Sequence, residues 1–330
     1  MWRIVLGINK HLTLAIPVMM GAGFVYGIFF PADGLKMAIV PLTFLMVYPM
    51  MVTLKIRKVL EGGDSKAQIL TQLLNFGIVP FLAWGMGRIF FADHPYMALG
   101  LLLAGLVPTS GMTISWTGFA RGNVEAAVKM TVIGLTLGSF ATPFYVQALM
   151  GASISVDFAL VVRQIAFIVF LPMVAGFLTQ TALIRACGQP RFQKDIAPKF
   201  PGLSTIGVLG IVFVAIALKA RTLAEAPEML GLILMPLVLI YGINFGISTL
   251  VGRYFLPRND AIALIYGSVM RNLSIALAIA INAFGPQGAQ AALVVAMAYI
   301  VQVQSAAWYV RFTDRILGPA PVSPSLGLKA

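Results

Sequence analysis

The sequence predicts an all-α membrane protein: ten transmembrane helices in two inverted five-helix repeats, with broken helices at the fourth and ninth positions and both termini cytoplasmic. Three observations carry that expectation. Of 330 residues, 59% are hydrophobic and 10% charged, with a mean hydropathy of +0.93, whereas a soluble domain carries about 25% charged residues. The apolar residues fall into ten runs of the length a bilayer core demands, roughly 20 residues per helix. The tetrapeptide NFGI occurs twice, at 75–78 and 244–247, each time followed by a Gly-Arg-x-Phe exit.

The runs span approximately 12–30, 36–54, 67–91, 95–120, 123–150, 157–184, 203–220, 228–255, 259–284 and 287–312. Breakers separate them: Pro31 with Gly34, Gly62-Gly63, Pro95, Gly122, Gly151, the prolines of 188–202, Pro227, Pro257 and Gly285-Pro286. The first run follows Arg3 and Lys10, as a signal peptide would. It lacks a small-residue cleavage site and continues to Phe30, so it is expected to remain as the first helix.

Lys and Arg placement sets the orientation. With the N-terminus inside, sixteen of the 23 cations fall in cytoplasmic segments: Arg3, Lys10, Lys55, Arg57, Lys58, Lys66, Arg121, Arg185, Arg191, Lys194, Lys199, Arg253, Arg258, Arg311, Arg315 and Lys329. Four, Lys36, Arg88, Lys219 and Arg221, fall outside. Cations at segment ends do not form the basic, aromatic-interleaved face that nucleic acid requires, so the net charge of +12 implies no nucleic-acid partner. The single cysteine, Cys187, is read as lying in a polar loop, which leaves no disulfide framework or cysteine metal site. No cofactor and no metal are expected.

The two copies of NFGI are offset by 169 residues and the GRIF and GRYF exits by 165. Residues 1–151 and 152–330 therefore read as two copies of a five-helix unit. Because five is odd, the copies have opposite orientation, an arrangement characteristic of secondary transporters with a site near the midplane at paired broken helices. In the fourth segment, Pro108 and Gly111 bracket Thr109 and Ser110 in GLVPTSGMTISW, a helix break. Adding the repeat offset lands beside Arg271-Asn272 in the ninth segment. That segment has no proline, so its break is expected from symmetry and from the polar cluster Ser268, Arg271, Asn272 and Ser274.

All eleven carboxylates lie at segment ends or in loops, and the cations left inside are Lys129, Arg163 and Arg271. Lys129 follows Glu125 by four residues, the favourable order for a helical ion pair. Arg163 lies near the outer surface and Asp157. Arg271 lies about twelve residues, roughly 18 Å by helical rise, from either end, where arginine costs about 2.5–3.5 kcal/mol on an insertion scale. A structural arginine donating to carbonyls is one reading of it; a substrate- or ion-related role is the other. Further polar positions are Thr113 and Ser115, Thr131, Gln302, Gln304 and Ser305, with Asn75 and Asn244 in the repeated tetrapeptides.

With GMTISWTGFARGN at 111–123 and RNLSIALAIAINAFG at 271–285, the whole chain resembles the bile acid:sodium symporter superfamily. Met112, Trp116 and Ala120-Arg121-Gly122 look most like its arsenite-efflux permease (arsenical resistance) branch. The resemblance implies a core of segments 3–5 and 8–10, about 67–150 and 228–312, and a panel of segments 1, 2, 6 and 7, about 12–54 and 157–220. It also exposes departures. Thr109 stands where the arsenite branch has cysteine, Ser274 and Gln302 where it has glutamates. Against the sodium-coupled branch, Thr113 and Thr131 keep ligand hydroxyls, Ile114 and Ala127 do not, Gly267 replaces a glutamate and Arg271 a glutamine.

The expected function is a secondary transporter of a small or organic anion, not an enzyme, in the inner membrane, with the lipid bilayer and a small anionic solute as partners. Arg271, Asn272, Thr109, Ser110, Thr113, Ser274 and Gln302 are the expected substrate contacts. Thr131, Ser268, Asn75 and Asn244 are the expected ion-coupling positions. A soft arsenic(III) ligand calls for thiolate, and sodium sites lacking their carboxylate while holding an arginine are not expected to couple. The guanidinium is expected to stand in for the cation and help hold an anion. Arsenite efflux from a cysteine-free site, a sodium-coupled organic anion symporter and a non-transporting membrane receptor are the alternatives.

Overall fold

The computed structural model describes residues 12–54, 63–225 and 228–319. It is helical almost throughout. The helices are α1 (Leu12–Phe29), α2 (Ile39–Val52), α3 (Ser65–Phe90), α4 (Pro95–Leu106), α5 (Gly111–Phe119), α6 (Val124–Met150), α7 (Phe158–Cys187), α8 (Phe200–Ala217), α9 (Glu228–Phe255), α10 (Arg258–Val269), α11 (Leu273–Ala283) and α12 (Gly288–Leu317). They coincide with the apolar runs to within a few residues. Among the described residues, six spans are long and apolar enough to cross a membrane: α3, α6, α7, α8 with its lead-in, α9 and α12 with its lead-in. Shorter apolar helices are α1, α2, α4 and α11. Arg3, Lys10, Lys55, Arg57, Lys58, Lys329 and both termini, all used in the orientation count, lie outside the described residues, as does Pro227.

Burial is inverted relative to a water-soluble protein. Phe29, Ile69, Leu73, Phe140, Leu178 and Trp308 are exposed, while Asn75, Thr71, Ser139, Asn244, Ser248 and Ser268 are buried. Lipid chains solvate the former as well as another helix would, so packing and interhelical hydrogen bonds must hold the helices together. Helices α1, α2, α7 and α8 pack mainly on one another, and α3–α6 pack with α9–α12. The glycines of the GRIF and GRYF exits make the same contact twice. A β-carbon on Gly87 would stand 3.1 Å from that of Ala98 in α4, and one on Gly252 would stand 3.1 Å from that of Ala261 in α10.

Both expected helix breaks are present. The fourth run divides into α4 and α5 at 107–110, and the ninth into α10 and α11 at 270–272. Among the described residues there is no strand, only an isolated antiparallel bridge between Pro108 and Arg271.

The Ala120-Arg121-Gly122-Asn123 turn joins α5 to α6. Arg121 takes a left-handed conformation at φ 56°, Arg121 N–H donates to Gly118 O at 3.0 Å, and Gly122 N–H donates to Thr117 O at 2.8 Å. This is a Schellman ending with arginine in the position glycine usually fills. Asn123 then caps α6 through Ala126 N–H, and its amide donates to Asp64 at 3.0 Å and Asp260 at 2.8 Å. Lys129 is buried and pairs with Asp64 at 3.4 Å as well as with Glu125 at 3.9 Å. The structural reading of Lys129 therefore holds, and the nearer carboxylate lies on another helix. Arg163 is exposed, its guanidinium 5.9 Å from the Phe167 ring centre. Cys187 departs from expectation: it is the last residue of α7, not a loop residue, because the helical run continues three residues past the apolar one.

A β-carbon on Gly122 would lie 2.5 Å from Ile262 Cγ2 and 2.7 Å from its Cβ. Gly122→Ala is therefore expected to cost about 1–3 kcal/mol by overpacking. Gly85→Ala, which meets nothing within 4 Å, is expected to be neutral or to gain about 0.5–1 kcal/mol from reduced backbone entropy. Thermal unfolding of the purified variants in detergent compares the two; equal midpoints would contradict the close α5–α6 turn to α10 contact.

Candidate anion site at the helix crossing

Two unwound strands of chain cross where α4, α5, α10 and α11 meet. Thr109 N–H donates to Met270 O at 2.8 Å and Asn272 N–H to Val107 O at 2.8 Å. These bonds satisfy backbone groups that have neither water nor a helical partner at this depth. Each new helix then starts with a cap. Ser110 Oγ accepts from Met112 N–H at 3.2 Å while Thr113 Oγ1 accepts from Ser110 N–H at 3.1 Å. Asn272 Oδ1 accepts from Ile275 N–H at 3.2 Å. The C-terminal ends of α4 and α10 and the N-terminal ends of α5 and α11 thus converge, negative and positive partial charges respectively.

Thr109 holds φ at +64°, an outlier for a β-branched residue. Its hydroxyl lies 2.6 Å from Pro108 O and 3.2 Å from Thr131 O. Space for this strand comes from α6. A β-carbon on Gly134 would stand 2.8 Å from Thr109 Oγ1, and one on Gly138 would stand 2.4 Å from Pro108 Cδ. Gly134 and Gly138 were not among the residues singled out from sequence; their small-xxx-small spacing is the signal that could have found them.

Gln302 of α12 clamps the other strand. Its Oε1 accepts from Arg271 N–H at 2.8 Å and its Nε2 donates to Arg271 O at 3.2 Å. Tyr241 of α9 donates to the same Oε1 at 2.9 Å. The carbonyls ending α10 are met by the two repeated asparagines: Asn75 Nδ2 donates to Gly267 O and Asn244 Nδ2 to Ser268 O, both at 3.1 Å. Ser268 and Ser248 hydroxyls donate to Asn244 Oδ1 at 3.0 and 3.1 Å. Thr131 Oγ1 donates within its own helix, to Ala127 O at 2.8 Å. Ser274 is the second residue of α11, its hydroxyl 2.7 Å from Tyr299 Oη.

The crossing therefore gathers Pro108, Thr109, Ser110, Gly111, Thr113, Thr131, Arg271, Asn272 and Gln302. Asn75, Asn244 and Ser268 cluster at the end of α10, and Ser274 sits apart on α11, against Tyr299 of α12. Adjacent residues of an extended strand point to opposite sides, and the two central ones do so here. Asn272 Nδ2 lies 3.8 Å from Met50 Sδ of α2. Arg271 instead lines a small cavity with Val79, Leu101, Gly105, Tyr241 and Asn244. Arg271 is 3% exposed, and its Nη1 and Nη2 have no hydrogen-bond partner. At Gly267 a β-carbon would stand 2.8 Å from Met130 Sδ and 3.1 Å from Thr71 Cγ2, so a side chain there would have to displace Met130.

Residues 40–226 match the Sodium Bile acid symporter family. This chain belongs to that family. Among its relatives, the arsenical-resistance protein Acr3 of Alkaliphilus metalliredigens (strain QYMF) is 24% identical over 292 residues, 83% of this chain and 80% of its own. Acr3 of Corynebacterium glutamicum is 21% identical over 258 residues, 74% and 70% of the two chains. The uncharacterized sodium-dependent transporter YocS of Bacillus subtilis (strain 168) is 24% identical over 227 residues, 67% and 66%. A sodium bile acid symporter family member with this run of apolar helices is a multi-pass membrane protein of a transport family, and its relatives support secondary transport.

Loss of the clamp leaves a buried N–H and a buried carbonyl of Arg271 without partners, each costing about 1–3 kcal/mol. Gln302→Leu is expected to lower stability by that order. Exposed Gln304→Leu is expected to stay within about 0.5 kcal/mol. Denaturant or thermal unfolding in detergent reads the difference, and a Gln302→Leu protein as stable as wild type would refute the clamp.

Proposed function

We propose that this chain is a secondary transporter that moves a small or organic anion across the inner membrane by alternating access, without the sodium coupling of its relatives. The observation that carries the reading is Arg271: a guanidinium at 3% exposure, with two nitrogens unpartnered, in a chain whose eleven carboxylates all fall at segment ends or in loops. An unbalanced buried charge is costly unless something of opposite sign joins it. The N-terminal ends of α5 and α11 add positive potential to the same crossing.

The rest of the proposal follows the expected architecture. Ten spans form two inverted repeats with cytoplasmic termini. The segments holding α3–α6 and α9–α12 act as the core, and α1, α2, α7 and α8 as the panel; the way these helices pack supports that division. Asn272, whose amide faces Met50 of α2, is proposed to contact the solute together with Arg271, Thr109, Ser110, Thr113, Ser274 and Gln302. Sodium coupling is argued against at two places. The carboxylate that the family resemblance puts at 267 is replaced by glycine, and Met130 and Thr71 fill the space. Arg271 brings its own positive charge where a bound cation would be repelled.

A second reading rests on the two arsenical-resistance relatives. Under it the chain exports arsenite without a thiol at the crossing, where Thr109 stands and Cys187 lies at the end of α7. Expression in an arsenic-sensitive bacterial strain separates the two, since restored resistance favours this alternative.

Proteoliposomes loaded with labelled small carboxylates and oxyanions test the main proposal. Uptake is expected to be the same with and without a sodium gradient, and strict sodium dependence would overturn the coupling claim. Arg271→Gln is expected to lower uptake by about tenfold or more, as losing one side of a buried charge interaction does. Normal uptake by a folded Arg271→Gln protein would remove Arg271 from the site.

A further inference from the structure

We propose that the cleft where α3, α4 and α6 come together at their ends is a binding site for an anionic phospholipid, phosphatidylglycerol being the representative. The site is separate from the crossing. Arg88, on the cleft, lies nine residues beyond Val79 of the Arg271 cavity, roughly 13 Å along the helix.

The cleft offers room, a cation and an apolar wall. Its volume is about 320 Å³, inside the range of about 300–1,000 Å³ that small-molecule sites occupy. Arg88 and Ser153 stand on it, both exposed. Trp84, Phe91, Pro95 and Met150 form much of the rest, and no lining residue is acidic. Asp93, the carboxylate nearest in sequence, is exposed and is not part of the wall. Among the described residues Arg88 has no ion pair and the Ser153 hydroxyl no hydrogen bond. The guanidinium rests over the Trp84 ring, 5.8 Å from its centre. Trp84 is itself fixed, because its indole N–H donates to Leu149 O at 2.9 Å. A stacked guanidinium with its donors uncommitted suits a phosphate, which it can meet through two parallel N–H bonds.

Depth decides which phosphate. Lys66 and Arg88 stand near the two ends of α3, roughly 33 Å apart by helical rise, about the thickness of a hydrocarbon core. Arg88 therefore lies at headgroup level. Phe81, Trp84 and Arg88 follow one stripe of α3 at spacings of three and four residues. They are an exposed phenyl, a half-buried indole and an exposed guanidinium. Phe81 meets Tyr145 of α6 edge-on, with ring centres 6.0 Å apart, so the stripe runs along the α3–α6 seam into the acyl region. A free phosphate would use Arg88 and Ser153 alone. A phospholipid uses every level, with its phosphate on Arg88, its glycerol against Trp84 and a chain along Phe81. Because the wall has no acid to receive an ammonium headgroup, a lipid of net negative charge is preferred to a zwitterionic one.

The other half of the core fills the corresponding place with protein. Gly252 meets Ala261 as Gly87 meets Ala98, which matches the ends of α9 and α10 to those of α3 and α4. The first residue of α10 is Arg258, whose guanidinium donates to Gly318 O at 2.8 Å and pairs with Asp314 of α12. The first residue of α4 is Pro95, which has no such reach.

The test is native mass spectrometry of protein purified from a membrane holding both phosphatidylglycerol and phosphatidylethanolamine. One phosphatidylglycerol per chain is expected to survive activation that strips phosphatidylethanolamine. Arg88→Gln is expected to lower that retention about fivefold, the worth of one arginine against an anionic lipid surface. Ser153→Trp, which fills the cleft, is expected to do the same. Arg163→Gln removes another exposed guanidinium, one that rests over Phe167, and is expected to keep the lipid. All three are surface substitutions and are expected to fold. In detergent, phosphatidylglycerol is expected to raise the thermal midpoint saturably and inorganic phosphate to leave it unchanged. Equal retention of the two lipids, or retention unchanged in both Arg88→Gln and Ser153→Trp, would overturn the proposal. A midpoint raised by inorganic phosphate without lipid would overturn the lipid assignment.

Discussion

At the depth of the bilayer core an unwound backbone has no water to bond to, and this constraint organises the centre of the molecule. Unwinding 107–110 and 270–272 releases amides and carbonyls from both helices. The two strands spend some on each other, through Thr109 with Met270 and Asn272 with Val107. Gln302 takes both backbone groups of Arg271, and Asn75 and Asn244 take the carbonyls ending α10. Ser110 and Asn272 cap the helices that restart. Most polar side chains near the crossing are thereby committed to structure. Arg271 stands apart because its backbone is fully clamped while its Nη1 and Nη2 are not. A fixed backbone under a free charged head group is a pre-organised arrangement for binding, since little order remains to be imposed when a ligand arrives.

The apolar helices were legible because apolar length and breakers are local properties of a chain. The Pro108–Gly111 break was legible for the same reason. The break at 270–272 was less plain, for no proline or glycine marks it, and it was placed through the repeat offset and the polar cluster Ser268, Arg271, Asn272 and Ser274. What stayed illegible is direction. Arg271 and Asn272 were read together as one polar pair, yet an extended strand sends them to opposite sides. Gln302 was read as a substrate contact, and its hold on the backbone of Arg271 was not foreseen. Lys129 was assigned Glu125 from helical spacing, while Asp64, 65 residues away in sequence, is the nearer carboxylate. Pairings across such distances depend on how helices dock, which hydrophobic period does not encode.

Room for the crossing was equally hidden, although its residues are local. Gly134 and Gly138 lie one helical turn apart on α6 and let Thr109 and Pro108 approach its backbone. Thr109 stays in a left-handed conformation, costing of order 1–3 kcal/mol, because its hydroxyl reaches Pro108 O and Thr131 O and its amide reaches Met270. The opposite end of this assembly is tied as closely. Asn123 holds Asp64 and Asp260 at once, and Asn123 N–H donates to Asn259 O at 2.9 Å. Helices α3, α6 and α10 are therefore linked by hydrogen bonds at two levels. By contrast, the hydrogen bond from the crossing toward α2 is a 3.8 Å amide–sulfur contact. In the proposed transport cycle that unequal bonding sets the sliding surface, because motion parts the weak contact and keeps the strong ones.

The sign of the charge at the crossing is set by very few residues. Two helix C-termini, α4 and α10, end there and favour a cation; two N-termini, α5 and α11, begin there and favour an anion. The backbone geometry alone is ambivalent. A carboxylate at 267 would tip it toward bound cations, and this chain has glycine there with Met130 and Thr71 in the space. Arg271 tips it the other way and is itself partly stabilised by the α10 carbonyl end that precedes it. A covalently attached cation differs from a bound one in that it cannot leave, so no ion gradient can do work by loading and unloading that position. In the proposed reading, the crossing at which the family resemblance implies bound cations is here a permanently positive frame, and only an anion can change its charge.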